Sequence, residues 1–267
     1  VGHAGVTANG RVTAMDEDGN LLAEERVISE TVGLLIGGHE TSAATSAWFM
    51  LWLLKKPEVL QRIREEVKAS IAAEGRFDPL KVAELPYLTA CLNESQRLTP
   101  SAVGTVRWLT QDAQIGDWLI PAGNCVFPCI YLTQRNKSVY GDDAEEYRPQ
   151  RWLENNKFGP NEYFPFGGRR RACVGMNQAR QQLRIIFAEF ARRVRFSSIH
   201  DGGANWPTTR QIGGQTEPDV GVIVKVEEIR PESAATPMGG RKHHQRLFFF
   251  PLSSDCWTIC VEDKTFK

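Results

Sequence analysis

The 267-residue chain lacks a net charge, and its cysteines lack paired Cys-x-x-Cys spacings. The 32 Lys and Arg residues balance 32 Asp and Glu residues, so the whole chain is not expected to be attracted to nucleic acid or to an anionic membrane. Six cysteines in a chain of this length do not form a disulfide scaffold. We therefore expect a reducing compartment, in which most thiols are buried and inert.

The sequence also lacks an apolar segment that is free of polar residues. Residues 31–54 are nearly long enough to cross a bilayer, but Glu40 and several hydroxyl side chains interrupt the centre. Because a charge at that depth is costly in lipid, we expect a helix that is buried in protein instead.

The first residues contain no initiator Met, no basic segment and no apolar signal core. We expect the chain to be a fragment whose targeting information is missing. Its localisation is therefore open: the cytoplasm, or the cytoplasmic face of a membrane through an anchor that this chain does not contain.

Apolar spacing and helix-breaking residues predict four long helices, at residues 24–56, 57–73, 86–98 and 176–194. The core stripe of the last helix is predicted to contain Leu183, Ile186, Phe187, Phe190 and Val194. Short strands and hairpins are expected in residues 103–133 and 195–229. The predicted fold class is mainly α with small mixed β-sheets. Residues 231–267 show no periodic pattern, which predicts a disordered tail after a domain at residues 1–230.

The most distinctive pattern is a cysteine in a loop directly before the fourth helix. Residues 166–175 read Phe-Gly-Gly-Arg-Arg-Arg-Ala-Cys-Val-Gly. The positive end of a helix stabilises a thiolate, glycines let the backbone approach a flat ligand, and arginine pairs with anionic groups. A structural cysteine in a glycine-rich turn is a common alternative for a lone Cys, but the whole string is much less common.

Two other patterns place polar groups in helices. Glu94 and Arg97 share one face of the third helix, which by itself favours a weak surface ion pair. Residues 37–42, Gly-Gly-His-Glu-Thr-Ser, interrupt the apolar first helix, where each glycine weakens the helix by roughly 1 kcal/mol relative to Ala. These residues predict either a satisfied polar kink or a functional opening.

Together these motifs resemble those of the cytochrome P450 family, and they occur in the family's order. The resemblance covers about residues 20–229 and implies the C-terminal part of the cytochrome P450 fold, which is incomplete without the family's N-terminal half. It implies that Cys173 is the axial ligand of haem b, iron protoporphyrin IX. Phe166, Arg171 and Gly175 fall on the positions of the family's ligand loop and are assigned to cofactor binding.

The resemblance gives the helical motifs roles as well. Glu94 and Arg97 match the family's ExxR motif, and Arg151 takes the position of the second arginine, which implies a buried structural triad beneath the haem. Glu40 and Thr41 match the oxygen-activation motif, a local helix opening in which they would relay protons to bound dioxygen.

The same resemblance extends to positions outside the motifs. Arg107 matches an arginine that contacts a haem propionate, although a surface arginine fits the bare sequence nearly as well. Residues 102–105 and 218–221 match segments that line the family's substrate pocket, and their small or apolar side chains suit a small apolar organic substrate. Arg169 departs from the glycine that is usual there, so we expect crowding or an altered backbone angle.

Residues 169–195 contain eight arginines against a single acid, Glu189. Nucleic acid is not an expected partner, because interleaved aromatic residues and known binding motifs are lacking. In the cytochrome P450 family this is the basic proximal face, where an acidic electron-donor protein docks, either an NAD(P)H reductase or a ferredoxin.

The implied activity is that of a monooxygenase, which inserts one oxygen atom of O2 into the substrate with electrons from NAD(P)H. One alternative is a haem-thiolate isomerase or lyase, which Thr41 disfavours because proton delivery to dioxygen has no purpose there. The other is a non-catalytic truncated fragment that binds no haem. We expect the fragment alone to be inactive, because it lacks the helices that would cover the pocket.

Overall fold

The structure, a computed structural model, describes residues 4–6, 12–16, 18–75, 77–154, 158–198, 209–212, 215–218, 223–228, 245–251 and 257–262. Its helices are α1 (Glu24–Lys55), α2 (Pro57–Glu74), α3 (Pro86–Leu98), α4 (Ile130–Thr133), α5 (Lys137–Tyr140), α6 (Arg151–Glu154) and α7 (Met176–Arg193). Two 3-10 helices lie at Pro79–Glu84 and Arg169–Arg171.

The strands are short and form small sheets. They are β1 (Ala4–Val6), β2 (Val12–Ala14), β3 (Arg107–Trp108), β4 (Ala113–Ile115), β5 (Trp118–Ile120), β6 (Cys125–Val126), β7 (Val194–Ser198), β8 (Thr209–Ile212), β9 (Gln215–Pro218), β10 (Ile223–Glu228), β11 (Gln245–Pro251) and β12 (Trp257–Glu262). The two-stranded pairs are β1–β2, β3–β6, β4–β5 and β8–β9, and one sheet has the order β12-β11-β10-β7. Every strand pair within the described residues is antiparallel.

The four long helices predicted from apolar spacing are confirmed, and their ends have local causes. Pro57 and Pro86 occupy the first turns of α2 and α3, where proline loses no helical hydrogen bond. Gly75 ends α2 with φ +71°, a left-handed conformation that glycine adopts without strain. The expected class, mainly helical with small sheets, is confirmed as well.

The main core lies where the second half of α1 packs with α2, α3 and α7. Phe49 of α1 meets Phe187 of α7 edge to face, with 4.5 Å between the ring centroids. Trp52 stacks on Tyr147 at 4.6 Å, which joins α1 to the irregular segment before α6. Ile186, predicted to belong to the core stripe of α7, is instead 42% exposed, because it lies at the edge of the stripe that Leu183 and Phe187 define.

Part of the predicted disordered tail is regular. The segments Gln245–Pro251 and Trp257–Glu262 form β11 and β12, and β11 pairs with β10. Both segments are rich in aromatic and β-branched residues, which favour strands. The remainder of residues 231–267 lies outside the described residues.

The chain divides into two compact units, residues 1–41 and 42–267, and the boundary between them lies within α1. In the first unit, residues 31–39 are all exposed. Within residues 28–36, the exposed large apolar side chains are those of Ile28, Val32, Leu34, Leu35 and Ile36. Among the described helices, none combines the length and the apolar character that a bilayer span requires.

Candidate functional site

A buried carboxylate on α3, that of Glu94, binds two arginines, one from the same helix and one from α6. Glu94 and Arg97 are fully buried, and Arg151 is nearly so. Arg97 binds Glu94 in a bidentate manner, with Nε 2.9 Å from Oε2 and Nη2 2.9 Å from Oε1. Arg151 Nε donates to Oε1 at 2.9 Å. The structure therefore brings the three residues together, and the alternative of a weak surface pair does not describe Glu94 and Arg97.

Two further groups complete this network, and neither was predicted from the sequence. Trp152 Nε1 donates to Glu94 Oε2 at 2.8 Å, and the backbone N of Arg148 donates to Oε1 at 2.9 Å. Arg97 Nη1 also donates to the carbonyls of Gln134 and Ala144, at 2.9 and 2.6 Å. The tryptophan directly after Arg151 could have predicted the bond from Trp152, since a buried indole N–H needs an acceptor.

Cys173 lies on a tight loop that ends where α7 begins. Its backbone N donates to the carbonyl of Phe166 at 2.8 Å, which closes the loop. The thiol is free and exposed, and the neighbouring Val174 is 74% exposed. Gly175 caps the N-terminus of α7, and the guanidinium of Arg180 lies 5.1 Å from the centroid of the Phe166 ring. The loop thus presents a thiol and an apolar side chain at the positive end of a helix.

The departure at Arg169 coincides with an unusual backbone conformation. Arg169 has φ +52°, and no other non-glycine residue in the described segments has a positive φ. The left-handed region costs a side-chain-bearing residue roughly 1–2 kcal/mol. Arg169 thus adopts, under strain, a backbone conformation that suits glycine. Arg171, two residues later, is exposed.

Glu40 and Thr41 lie half-buried in α1, within the unit that comprises residues 1–41. The expected local opening is absent, because α1 is helical throughout residues 37–42. Thr41 Oγ1 donates to the carbonyl of Gly37 at 2.7 Å, a bond within the helix that is compatible with continued helical structure.

The first segment matched to a substrate pocket lies beside β9, which ends at Pro218, the first residue of the second matched segment. Ala102 forms an isolated β-bridge with Gln215. The backbone N of Thr216 donates to the carbonyl of Ser101 at 2.7 Å, and Trp48 Nε1 of α1 donates to the carbonyl of Thr216 at 3.3 Å. Residues 219–222, which include most of the second predicted segment, lie outside the described residues.

Arg107 is in β3, which pairs with β6. Its side chain is half-buried, and Nη1 donates to the carbonyl of Val106 at 2.9 Å. Among the described residues this guanidinium makes no other hydrogen bond, and its predicted contact with a cofactor remains a prediction.

The basic region has one locally neutralised end. Glu189 pairs with Arg192 at 2.7 Å and with Arg193 at 2.6 Å. We define the arginine face as the remaining arginines of the loop and of the first half of α7: Arg169, Arg170, Arg171, Arg180 and Arg184. Burial and the charge of Arg180 lower the pKa of Arg184. Arg180 and Arg184 line a groove between α7 and the 3-10 helix Pro79–Glu84, whose other wall contains Leu80, Val82 and Ala83.

The comparisons with known proteins agree with this geometry. The profile of the family "Cytochrome P450" matches residues 8–222. The chain is 35% identical over 173 residues to a self-sufficient cytochrome P450 monooxygenase, CYP505E5, of Aspergillus kawachii. The matched region covers 64% of this chain and 16% of that protein. It is 29% identical over 178 residues to the methyltetrahydroprotoberberine 14-monooxygenase of Papaver somniferum, covering 65% of this chain and 34% of the relative.

The chain therefore belongs to the cytochrome P450 family, which implies a haem cofactor. It matches about a sixth of the length of the fungal relative and a third of the plant relative. The donor chemistry of the loop fits a haem, because an exposed, unpaired thiol at a helix N-terminus is suited to ligate iron.

Replacing Glu94 tests the buried network. Glu94→Ala would leave the guanidinium groups of Arg97 and Arg151 buried without their carboxylate, so we expect a loss of about 3–5 kcal/mol in the free energy of unfolding, measured by urea denaturation. Glu154→Ala is the control, since its carboxylate is 60% exposed and pairs with Arg148 at 2.8 Å. That variant should lose less than about 1 kcal/mol. Equally small losses in both variants would contradict the structure of this network.

Replacing Arg169 tests the strain in the cysteine loop. Arg169→Gly removes the cost of the left-handed conformation, but glycine also adds conformational entropy to the unfolded chain. The net result should be a free energy of unfolding that is higher by about 0.5–1 kcal/mol. Arg170→Gly removes the same charge from the next residue, which has no positive φ, and should lower stability. Thermal unfolding of the two variants provides the comparison, and the same direction of change in both would rule out strain at Arg169.

Proposed function

We propose that this chain is the C-terminal part of a haem-thiolate monooxygenase in which Cys173 ligates the haem iron. The observation that carries the proposal is the free, exposed thiol at the start of α7, on a loop closed by the bond from Cys173 N to Phe166 O at 2.8 Å. When bound, the haem supplies the redox chemistry, and thiolate ligation favours cleavage of the O–O bond.

In this proposal the chain's own residues hold and shield the cofactor. Phe166 begins the cysteine loop, and Gly175 leaves space near the sulfur, where an added Cβ would lie 4.0 Å from Cys173 Sγ. Arg171 and Arg107 would pair with the haem propionates, since guanidinium groups bind carboxylates with charge-assisted hydrogen bonds. The network of Glu94 would fix the backbone beneath the cofactor.

The substrate in this proposal is a small apolar organic molecule. Residues 102–105 and 218–221 would line its pocket, and the β-bridge from Ala102 to Gln215, in the strand that ends at Pro218, supports this. Their side chains are mostly small or apolar, and such linings suit apolar ligands. The monooxygenase names of the fungal and plant relatives support oxygen insertion as the reaction.

Electrons would come from NAD(P)H through an acidic donor protein that docks on the arginine face. The groove beside Arg180 and Arg184 combines positive charge with the apolar wall of Leu80 and Val82, which suits an acidic partner with apolar contacts. A reducing compartment accords with the free thiols of Cys91, Cys125, Cys129 and Cys173.

Cysteine variants test the axial ligand. Cys173→Ser should abolish the thiolate-type absorption of the reduced, CO-bound protein, because a hydroxyl does not replace a thiolate as a soft ligand. Cys125→Ser is the matched control, since Cys125 is also free and exposed, and it should keep the spectrum. Retention of the thiolate-type band by Cys173→Ser would refute the ligand assignment.

Threonine variants of α1 test proton delivery in the full-length enzyme. If Glu40 and Thr41 relay protons to dioxygen, Thr41→Ala should still consume NAD(P)H but release hydrogen peroxide at the expense of product. Thr31→Ala removes an equivalent bond in the same helix, from Thr31 Oγ1 to the carbonyl of Val27 at 2.7 Å, and should remain coupled. Product formed per NAD(P)H consumed is the readout. Full coupling in Thr41→Ala would exclude the relay.

A further inference from the structure

One buried amide side chain connects α3 with the segment that leads to the cysteine loop. Gln134, at the C-terminus of α4, is fully buried. Its Nε2 donates to the carbonyls of Gln96 and Arg97, at 3.0 and 3.2 Å. Its Oε1 accepts a hydrogen bond from the backbone N of Phe164 at 3.1 Å. All three partners are backbone groups from two distant parts of the sequence.

These bonds satisfy groups that would otherwise be orphaned. The last carbonyls of a helix have no partner within the helix, and Gln134 takes up two of them at the end of α3. The carbonyl of Leu98, the last residue of α3, accepts from the next side chain, Arg135. The end of the helix that carries Glu94 is therefore capped by residues from α4 and the turn after it.

The bond from Phe164 N to Gln134 Oε1 connects the end of α3 to the cysteine loop. The carbonyl of Phe164 accepts from the backbone N of Gly167 at 2.9 Å, and the carbonyl of Phe166 accepts from Cys173 N at 2.8 Å. A short series of backbone hydrogen bonds thus leads from Gln134 to the residue that presents the thiol. Residues 158–168 contain no helix or strand, so the loop depends on such contacts for its position.

We propose that Gln134 is a positioning residue that holds the Cys173 loop at a fixed place relative to α3. The inference rests on the proposed function, in which the thiolate of Cys173 must reach the haem iron. The role requires a side chain that donates two hydrogen bonds and accepts one at the same time. A carboxamide does this, whereas a carboxylate would accept from Phe164 but would face two carbonyl oxygens without donating to them.

The side-chain effect can be separated from collapse of the surrounding fold. The backbone carbonyl of Gln134 accepts from Arg97 Nη1 at 2.9 Å, and its backbone N donates to Ile130. Both bonds survive a change of side chain. Variants at residue 134 should therefore keep α4 in place and loosen the connection to Phe164.

The experiment compares Gln134→Leu and Gln134→Glu with the unchanged chain, and Gln182→Leu, on the exposed side of α7, is the control. Amide hydrogen exchange is measured over residues 158–173 without haem. We expect about tenfold faster exchange in Gln134→Leu, since one hydrogen bond is worth roughly that factor. In haem-loaded protein, Gln134→Leu should show a smaller thiolate-type fraction of the CO-bound spectrum at equal haem content.

The pH dependence of Gln134→Glu distinguishes a positioning role from a purely structural one. Burial against two carbonyl oxygens disfavours the charged form of the introduced carboxyl group, and its protonated form can donate one hydrogen bond. The thiolate-type fraction of this variant, relative to the unchanged chain, should therefore rise as the pH is lowered. Gln134→Leu should show no such recovery.

The outcomes separate this inference from the proposed function. Exchange rates and spectra of Gln134→Leu that equal those of the unchanged chain would overturn the positioning role. If the unchanged chain binds haem without a thiolate-type spectrum, the proposed function fails, and the exchange rates still decide whether Gln134 anchors the loop. If Gln134→Leu does not fold, the spectra of Gln134→Glu across pH test the positioning role. A thiolate-type fraction that stays constant with pH, relative to that of the unchanged chain, would contradict the role.

Discussion

The carboxylate of Glu94 is the group on which the organisation of the described fold depends. It is fully buried and accepts hydrogen bonds from Arg97, Arg151, Trp152 and the backbone of Arg148. A charge removed from water is tolerated only when it is paired and its remaining acceptor sites are filled. The segment from residue 144 to residue 152 must therefore fold onto α3 as a set, since each missing donor would leave a buried charge less well compensated.

The consequence for the candidate site is that an irregular part of the chain is held by specific bonds. The described residues between α5 and α7 have little regular structure, and no strand lies among them. Arg97 donates to the carbonyl of Ala144 there, and the Gln134 side chain accepts from the backbone N of Phe164. The cysteine loop then needs only short local bonds, such as that from Cys173 N to Phe166 O, to present its sulfur at the start of α7.

The loop also bears a cost that the rest of the structure must offset. Arg169 adopts a left-handed backbone conformation, while its charge adds to an arginine face that the single acid Glu189 does not neutralise. Both features reduce stability, and the surrounding core of α2, α3 and α7 compensates for them. In the proposed function the same charges have a use, because they attract an acidic electron donor.

The sequence by itself determined the four long helices, the cysteine at the start of the last one and the order of the family motifs. Helix bounds follow from apolar spacing and from prolines and glycines, which act locally. The spacing of Glu94 and Arg97 equally fits an exposed pair, so only the family resemblance predicted their burial, and the tertiary structure decided it. It also decided the roles of Trp152 and Gln134, the closed helix at residues 37–42 and the pairing of β10 with β11. Burial and hydrogen bonds between residues tens of positions apart depend on how the chain packs. The periodicity within one segment carries no information about contacts with other segments.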